Sequence, residues 1–371
     1  MKYRTRQQET LIHFLYRYFF KAIVFQIDPE KIHDIMVAFG ESLGKYAVVK
    51  KVTAMLFDYQ HPMLAQRIRG IDFRNPVGLS GGFDKNGRLT DILPEVGFGF
   101  MEIGSITGEK CEGNPKPRMW RLKKSRSLLV HYGLNNAGAR SIARKLSGKK
   151  FRIPVGINIA KTNNQETVER KAGTADYVRA YREMGNVGDY VTINISCPNA
   201  YGGCPFTDRE NLEYLLTQLA TIPKTKPVFI KLSPDLTNQE IDDIIALARR
   251  FKLDGFVCSN LTKPRENPRI LDTNFPEYGG MSGKVVDDLS DRLIEYIFKK
   301  TQKEFIIIGV GGIFSAEDAY RKIRKGASLV QLITGMVFEG PQLIGAINAG
   351  LVDLLKRDGY RNIQEAIGVD K

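Results

Sequence analysis

The chain has 371 residues, 43% apolar and 26% charged, and its 35 glycines and 16 prolines follow no repeat; this excludes a long disordered chain and collagen-like or low-complexity scaffolds. Four cysteines (Cys111, Cys197, Cys204, Cys258) in so long a chain make no disulfide framework and fit a reducing compartment, and with four histidines and no Cys-x-x-Cys spacing no metal site is expected. The net charge of +14 suits anionic ligands or an anionic membrane surface; no zinc-finger, ribonucleoprotein or helix-turn-helix signature accompanies it, so nucleic acid is not expected as a partner.

The first 25 residues carry Lys2, Arg4, Arg6, Arg17 and Lys21 against Glu9 alone. The most apolar stretch, 11–27, is interrupted by Arg17 and Lys21, so it cannot span a bilayer, and no small-residue cleavage site follows it. His13, Arg17 and Lys21 recur at i, i+4, i+8, one narrow stripe. Leu11, Phe14, Leu15, Tyr18, Phe19, Ala22, Ile23 and Phe25 cover the other faces. That pattern predicts an interfacial helix with its cations near lipid phosphates, or else a helix packed on its own domain. A second helix starts at Asp28-Pro29-Glu30 and carries Ile32, Ile35, Met36, Phe39 and Leu43, and a third runs from about Val48 to Phe57. Residues 1–68 are thus read as a helical extension.

From residue 69 the rhythm changes. Eight short apolar runs are read as strands: Pro76–Ser80, Phe100–Ser105, Pro154–Ala160, Tyr190–Ser196, Val228–Ser233, Gly255–Asn260, Phe305–Gly311 and Leu329–Thr334. Helical patterns fall between most of them, at Asn211–Ala220, Gln239–Arg250, Asp287–Lys299, Ala316–Lys325 and Pro341–Leu355. Strands alternating with helices imply a parallel sheet, and eight of them close into an α/β (β/α)₈ barrel over 69–371. The rival, an open doubly wound sheet, would want a Gly-x-Gly-x-x-Gly turn that GGFDKNG does not supply.

Chemistry in such barrels sits at the C-terminal strand ends. Those ends gather Gly81, Gly82 and Lys85; Ser105; Asn158 and Lys161; Asn194, Cys197 and Asn199; Lys231; Ser259 and Asn260; Gly311 and Gly312; and Thr334 and Gly335. The glycines after the last two strands allow backbone N–H groups to approach a phosphate. Lysines at strand ends can serve a pyridoxal Schiff base or an anionic flavin ring. Asparagines, each both donor and acceptor, suit the reading of a cyclic amide.

GGFDKNG at 81–87, NISCPN at 194–199, KLSPDLT at 231–237, IIGVGGI at 307–313 and GASLVQLITG at 326–335 stand in the order found in the dihydroorotate dehydrogenase family, which this chain resembles over most of its length. The helical leader with Asp28-Pro29-Glu30 resembles the membrane-associated, quinone-using class. The resemblance implies FMN, oxidation of dihydroorotate to orotate, re-oxidation by a membrane quinone, and a peripheral position on the cytoplasmic side of the cell membrane. It places Gly81, Gly82 and Lys85 along flavin and substrate, and Ser105, Asn158, Asn194 and Lys231 on the flavin ring and ribityl chain. Ser259, Gly283 (in a GGMSG turn), Gly312, Thr334 and Gly335 fall to the phosphate. Asn194, Asn199, Asn260, Gly133 and Leu134 fall to the pyrimidine, Lys85 to its carboxylate, and Cys197 to the role of base.

Three positions depart from that class. Cys197 stands where it normally has serine, Val130 where an Asn-Arg-x-Gly-Phe-Asn block begins with asparagine, and Ile333 where a tyrosine precedes the phosphate-site hydroxyl. The first keeps the chemistry possible, the second bears on substrate identity, and the third touches the expected quinone pocket. Two other readings are therefore carried: a related flavoenzyme acting on another cyclic amide, and a catalytically idle flavin-binding barrel held at a membrane.

Overall fold

A computed structural model describes residues 13–370. Eight parallel strands close a barrel: β1 (Val77–Leu79), β2 (Phe100–Ile106), β3 (Val155–Ile159), β4 (Tyr190–Asn194), β5 (Val228–Leu232), β6 (Gly255–Cys258), β7 (Ile306–Val310) and β8 (Leu329–Leu332). Each pairs with its neighbours in sequence, and β8 closes on β1 through Val330–Val77 and Leu332–Leu79. Helices cover the outer face and side chains fill the inner one. The strands therefore read as continuous apolar runs without alternation.

All eight expected runs end within about two residues of the observed strand, the usual spread of boundary assignment. The eighth stops at Leu332, because Thr334 already opens a short helix, Thr334–Glu339.

Two sheets outside the barrel had no counterpart in the sequence reading. A hairpin, Gln66–Ile68 against Ile71–Phe73, turns through Arg69 and Gly70, both at positive φ, the conformation that suits a tight two-residue loop. It corrects the helical reading of 1–68 at its end. Its Ile68 and Phe73 pack on Phe100, Tyr190 and Phe229 and seal the barrel floor. The other sheet joins Met119–Leu122, Ser127–Val130 and Gly280–Gly283, all antiparallel, at the opposite end. Gly283, expected in a turn, is the last residue of a strand. Strands of three or four residues are too short to show a period, and Gly280–Gly283 pairs with a segment distant in sequence.

The N-terminal helices lie against that mouth. Helix α1 (Pro29–Leu43) has Asp28 as its cap, accepting from the Lys31 N–H at 2.9 Å, with proline at its first position. Glu30 is buried and pairs with Arg118 at 2.8 Å; Arg118 Nε reaches both carboxylate oxygens at 3.1 Å. Burial pushes the Glu30 carboxyl up, but hydrogen bonds from Arg118 and Lys116 outweigh it and hold it below the usual range. The Asp-Pro-Glu signature is thus a cap, a helix start and a buried clamp. Helix α2 (Ala47–Phe57) follows as expected.

The leader is helical over residues 13–24, with a π turn at Tyr16–Phe20. His13, Tyr16 and Lys21 turn toward the barrel rim. His13 sits 4.0 Å from Glu339, the Tyr16 hydroxyl donates to the Val337 carbonyl at 2.9 Å, and the Lys21 ammonium lies 5.2 Å from the Phe25 and Phe338 rings. The rim residues 337–342 offer polar partners, and Phe14, Tyr18, Phe19 and Ile23 are exposed. Residues 1–12, with Lys2, Arg4, Arg6, Glu9 and Leu11, lie outside the described residues. Among the described residues no helix is long and apolar enough to cross a membrane.

Candidate active site

A cavity of about 820 Å³ opens from the C-terminal end of the barrel and continues beneath the leader and α1. One end is polar and the other apolar, and both belong to one continuous space. Gly81, Gly82, Lys85, Ser105, Gly133, Leu134, Asn194, Cys197, Asn199, Lys231, Ser259, Asn260, Gly283, Gly312, Thr334 and Gly335 all line it. Asn158 does not; it stands directly behind Ser105.

A hydrogen-bonded chain sets the polar end. Glu102, fully buried on β2, accepts from the Thr192 hydroxyl at 2.8 Å and from Asn158 Nδ2 at 3.0 Å. Asn158 Oδ1 accepts from Ser105 Oγ at 2.5 Å, and Ser105 Oγ accepts from Asn194 Nδ2 at 2.9 Å. Asn194 Oδ1 in turn accepts from Asn260 Nδ2 at 3.1 Å. One buried carboxylate therefore orients three amides and a serine across β2, β3, β4 and the end of β6. Asn260 also donates to the Ser196 carbonyl at 3.0 Å, so its NH₂ is engaged by the protein.

Two lysines face the cavity. Lys231 Nζ donates to Ser80 Oγ at 3.2 Å; burial lowers its pKa, and the Glu102 and Cys197 charges oppose that. Lys85 Nζ lies 4.0 Å from the Tyr132 ring centre and 3.2 Å from His33 Nε2. Burial brings the Lys85 pKa down to about 8, against the pull of Asp34 and Glu30. His33 is held well below its ordinary value by burial and by the Lys85 charge, so it is neutral.

Cys197 follows β4 and is a free thiol, as are the other three cysteines. Burial pushes it above the usual thiol range; the Asn199 and Ala200 N–H groups, Lys161 and Lys231 act the other way and do not overcome it. A thiolate favoured by its lysines, one side of the sequence expectation, is therefore not the resting state. Next to it, Asn199 Nδ2 donates to the Val130 carbonyl at 2.8 Å while Asn199 Oδ1 is buried without a partner.

Across the mouth the backbone comes close. Gly312, at φ +73°, has room for no side chain: a Cβ there would lie 2.3 Å from Asp287 Oδ1. At Gly335 a Cβ would lie 2.0 Å from the Ile313 carbonyl oxygen. Beside them Ser282 Oγ and Thr334 Oγ1 are 2.8 Å apart. This is a cradle of main-chain groups and hydroxyls suited to a phosphate. Together with an amide row, two buried lysines and an unpartnered acceptor, the donor set fits a flavin mononucleotide and a small cyclic amide. Among the described residues no group of His, Cys, Asp and Glu could hold a metal ion.

The apolar end is walled by Leu15, Phe19, Phe20 and Ile23 of the leader, Met36 of α1 and Phe57 of α2. Val130 and Ile333 lie on this wall, and Val130 packs with the Leu128, Phe314 and Phe338 cluster. Arg121 ties the leader down, donating to the Ile27 carbonyl at 2.7 Å and to the Val24 carbonyl at 3.3 Å. Sequence reasoning placed Ser80 and Glu102 at strand ends without a role and missed His33, Tyr132, Arg121 and Ser282 as site residues. Glu102 was legible in principle, as a carboxylate within a predominantly apolar run.

Residues 63–355 match the family model described as dihydroorotate dehydrogenase. A protein of Natronomonas pharaonis named dihydroorotate dehydrogenase (quinone) is 39% identical over 351 residues, covering 94% of this chain and 98% of its own. The Mus musculus protein named dihydroorotate dehydrogenase (quinone), mitochondrial, is 36% identical over 372 residues, covering 96% and 91%. The crystal structure of an Eimeria tenella DHODH in complex with ferulenol superposes with a TM-score of 0.83 at 30% identity, covering 92% of this chain and 96% of that one.

Proposed function

The chain belongs to the dihydroorotate dehydrogenase family, in its quinone-dependent branch, and on that premise we propose that it oxidises dihydroorotate to orotate with a membrane quinone as acceptor and FMN as the flavin, in pyrimidine biosynthesis. The observation that carries the reading is the single cavity with a polar end at the barrel strands and an apolar end under the leader. Substrate and quinone differ in polarity as the two ends do.

The phosphate would sit against Ser259, Gly283, Gly312, Thr334 and Gly335, and the ring system along Gly81, Gly82, Ser105, Asn194 and Lys231, with Asn158 supporting Ser105 from behind. The flavin, when bound, supplies a two-electron acceptor for hydride. The chain's own residues do the rest. Lys231 presents a buried positive charge to that ring. Asn194 and Asn199 read the pyrimidine, the unpartnered Asn199 Oδ1 accepting from a ring N–H, with Asn260, Gly133 and Leu134 alongside. Lys85 offers its ammonium to the substrate carboxylate. Cys197 Sγ takes the C5 proton as general base. Val130 leaves the pyrimidine one amide contact short, and the relatives' names favour dihydroorotate over another cyclic amide all the same.

The extension, 1–68, serves as quinone access, its last strand Gln66–Ile68 belonging with the barrel floor. Phe14, Tyr18, Phe19 and Ile23 of the leader, Phe39 of α1, and Val48 and Met55 of α2 are exposed apolar side chains. They support a peripheral seat on a membrane, and the net charge of +14 suits an anionic surface; the cytoplasmic side is part of the proposal. The test is anaerobic: dihydroorotate should bleach the flavin of the purified yellow protein, and a quinone should restore its colour. A flavin that dihydroorotate leaves oxidised would return the idle-barrel reading.

A further inference from the structure

We propose that Lys161 is a positioning residue for this reaction: it fastens the loop that carries Cys197 and supplies a buried positive charge that the Cys197 thiolate faces. The inference rests on Cys197 being the base.

Lys161 follows β3 by two residues and is 3% exposed. Its Nζ donates to the Tyr201 carbonyl at 2.9 Å and lies 3.4 Å from Thr167 Oγ1. Tyr201 sits in the middle of the loop 197–204, which leaves β4 with Cys197 and returns with Cys204. The loop has other ties: Asn114 Nδ2 donates to the Asn199 carbonyl at 3.0 Å, and Cys204 Sγ to the Cys197 carbonyl at 3.3 Å. All of those are neutral. Of these ties, that of Lys161 is the charged one.

Among the described residues the contacts of Lys161 Nζ are neutral oxygens, and no carboxylate lies within ion-pair distance of it. The Asp176 carboxylate acts on that charge without touching it, and its own hydrogen bonds come from the Thr162 N–H and hydroxyl and the Gly108 N–H. A buried ammonium with no counter-ion in contact is costly and seldom retained for stability alone. The groups around it are Cys197, Asp176, Cys204 and Cys111, and those around Cys197 are Lys161, Lys231 and Cys204. Cys197 is the one among them on the cavity wall. Burial pushes its thiol up, and Lys161 acts against that push. A negative sulfur at Cys197 would complete a pair that the resting protein leaves half made.

The test reads the thiol directly. Flavin-loaded, full-length protein is alkylated with iodoacetamide over a range of pH, and fragment mass spectrometry resolves Cys197 from Cys204. In Lys161→Met and Lys161→Gln the pH midpoint for Cys197 should rise by about one unit, the shift typical of losing a nearby opposite charge, whereas Lys161→Arg should hold it near wild type. Glutamine can still donate to the Tyr201 carbonyl, so a shift in the Gln variant belongs to the charge. If Lys161→Met fails to fold, the Gln and Arg variants decide. Midpoints equal across all variants would overturn the electrostatic role. Amide hydrogen exchange in 198–204 should quicken in Lys161→Met more than in Lys161→Gln, and equal exchange in wild type and the Met variant would overturn the fastening role. A failure of the underlying reading looks different: Cys197→Ala would then reduce its flavin normally while the alkylation midpoints still moved.

Discussion

Replacing Cys197 tests the chemistry most directly. An ordinary thiol, with a pKa near 8.5, is about 3% thiolate at pH 7, and burial at Cys197 raises the pKa further, so the resting fraction is smaller still. The base must be deprotonated to accept the C5 proton. The active form therefore lies above the raised pKa, and reduction of the bound flavin by dihydroorotate should climb up to about tenfold per pH unit between roughly pH 6 and 9. Cys197→Ala removes the acceptor without touching the phosphate cradle or the amide row. It should retain FMN and bind orotate, but reduce its flavin about 10²- to 10⁴-fold more slowly, a barrier increase of about 3–5 kcal/mol. Cys197→Ser should fall between, with its rise displaced to higher pH because a hydroxyl ionises much less readily. Anaerobic stopped-flow reduction across pH for the three proteins reads all of this. Equal rates for wild type and Cys197→Ala, or a wild-type rate that falls as pH rises, would refute the assignment.

Deleting residues 1–26 strips Leu15, Phe19, Phe20 and Ile23 from the cavity wall while leaving the Glu30–Arg118 clamp; flavin reduction by dihydroorotate should persist and turnover with a long-chain quinone should drop, as parallel assays with a water-soluble acceptor would show. Lys85, with its pKa at about 8, is an ammonium below that pH and neutral above it. Orotate affinity, followed through the flavin absorbance, should therefore weaken as pH rises through 8, and Lys85→Met should flatten the dependence. Gly312→Ala places a Cβ against Asp287 at a positive φ; strain of about 1–3 kcal/mol should weaken FMN retention roughly five- to hundredfold, measured by equilibrium dialysis.

The barrel was legible because its signal is local. A strand covered on both faces must be apolar at every position, and a surface helix must show its period, so eight runs and the helices between them could be read from neighbouring residues alone. The strand-end residues were legible for the same reason: once the strands are fixed, the fold decides that Lys85, Cys197, Asn199 and Lys231 share one mouth. The accessory sheet was not, because Gly280–Gly283 pairs with Ser127–Val130 across a separation that no local pattern records. The π turn likewise changes which side chains of the leader share a face, and the rim at Glu339 and Val337 then chose the side carrying His13 and Tyr16. Glu102 shows the same limit. Its residue type and strand were readable, but that one carboxylate orders Asn158, Ser105, Asn194 and Asn260 depends on four strands meeting in space. The protonation of the site was decided there too. Residue type sets the ordinary pKa of Cys197 and Lys85, whereas burial, which exists only once the chain has closed around them, moves the thiol up and the ammonium down.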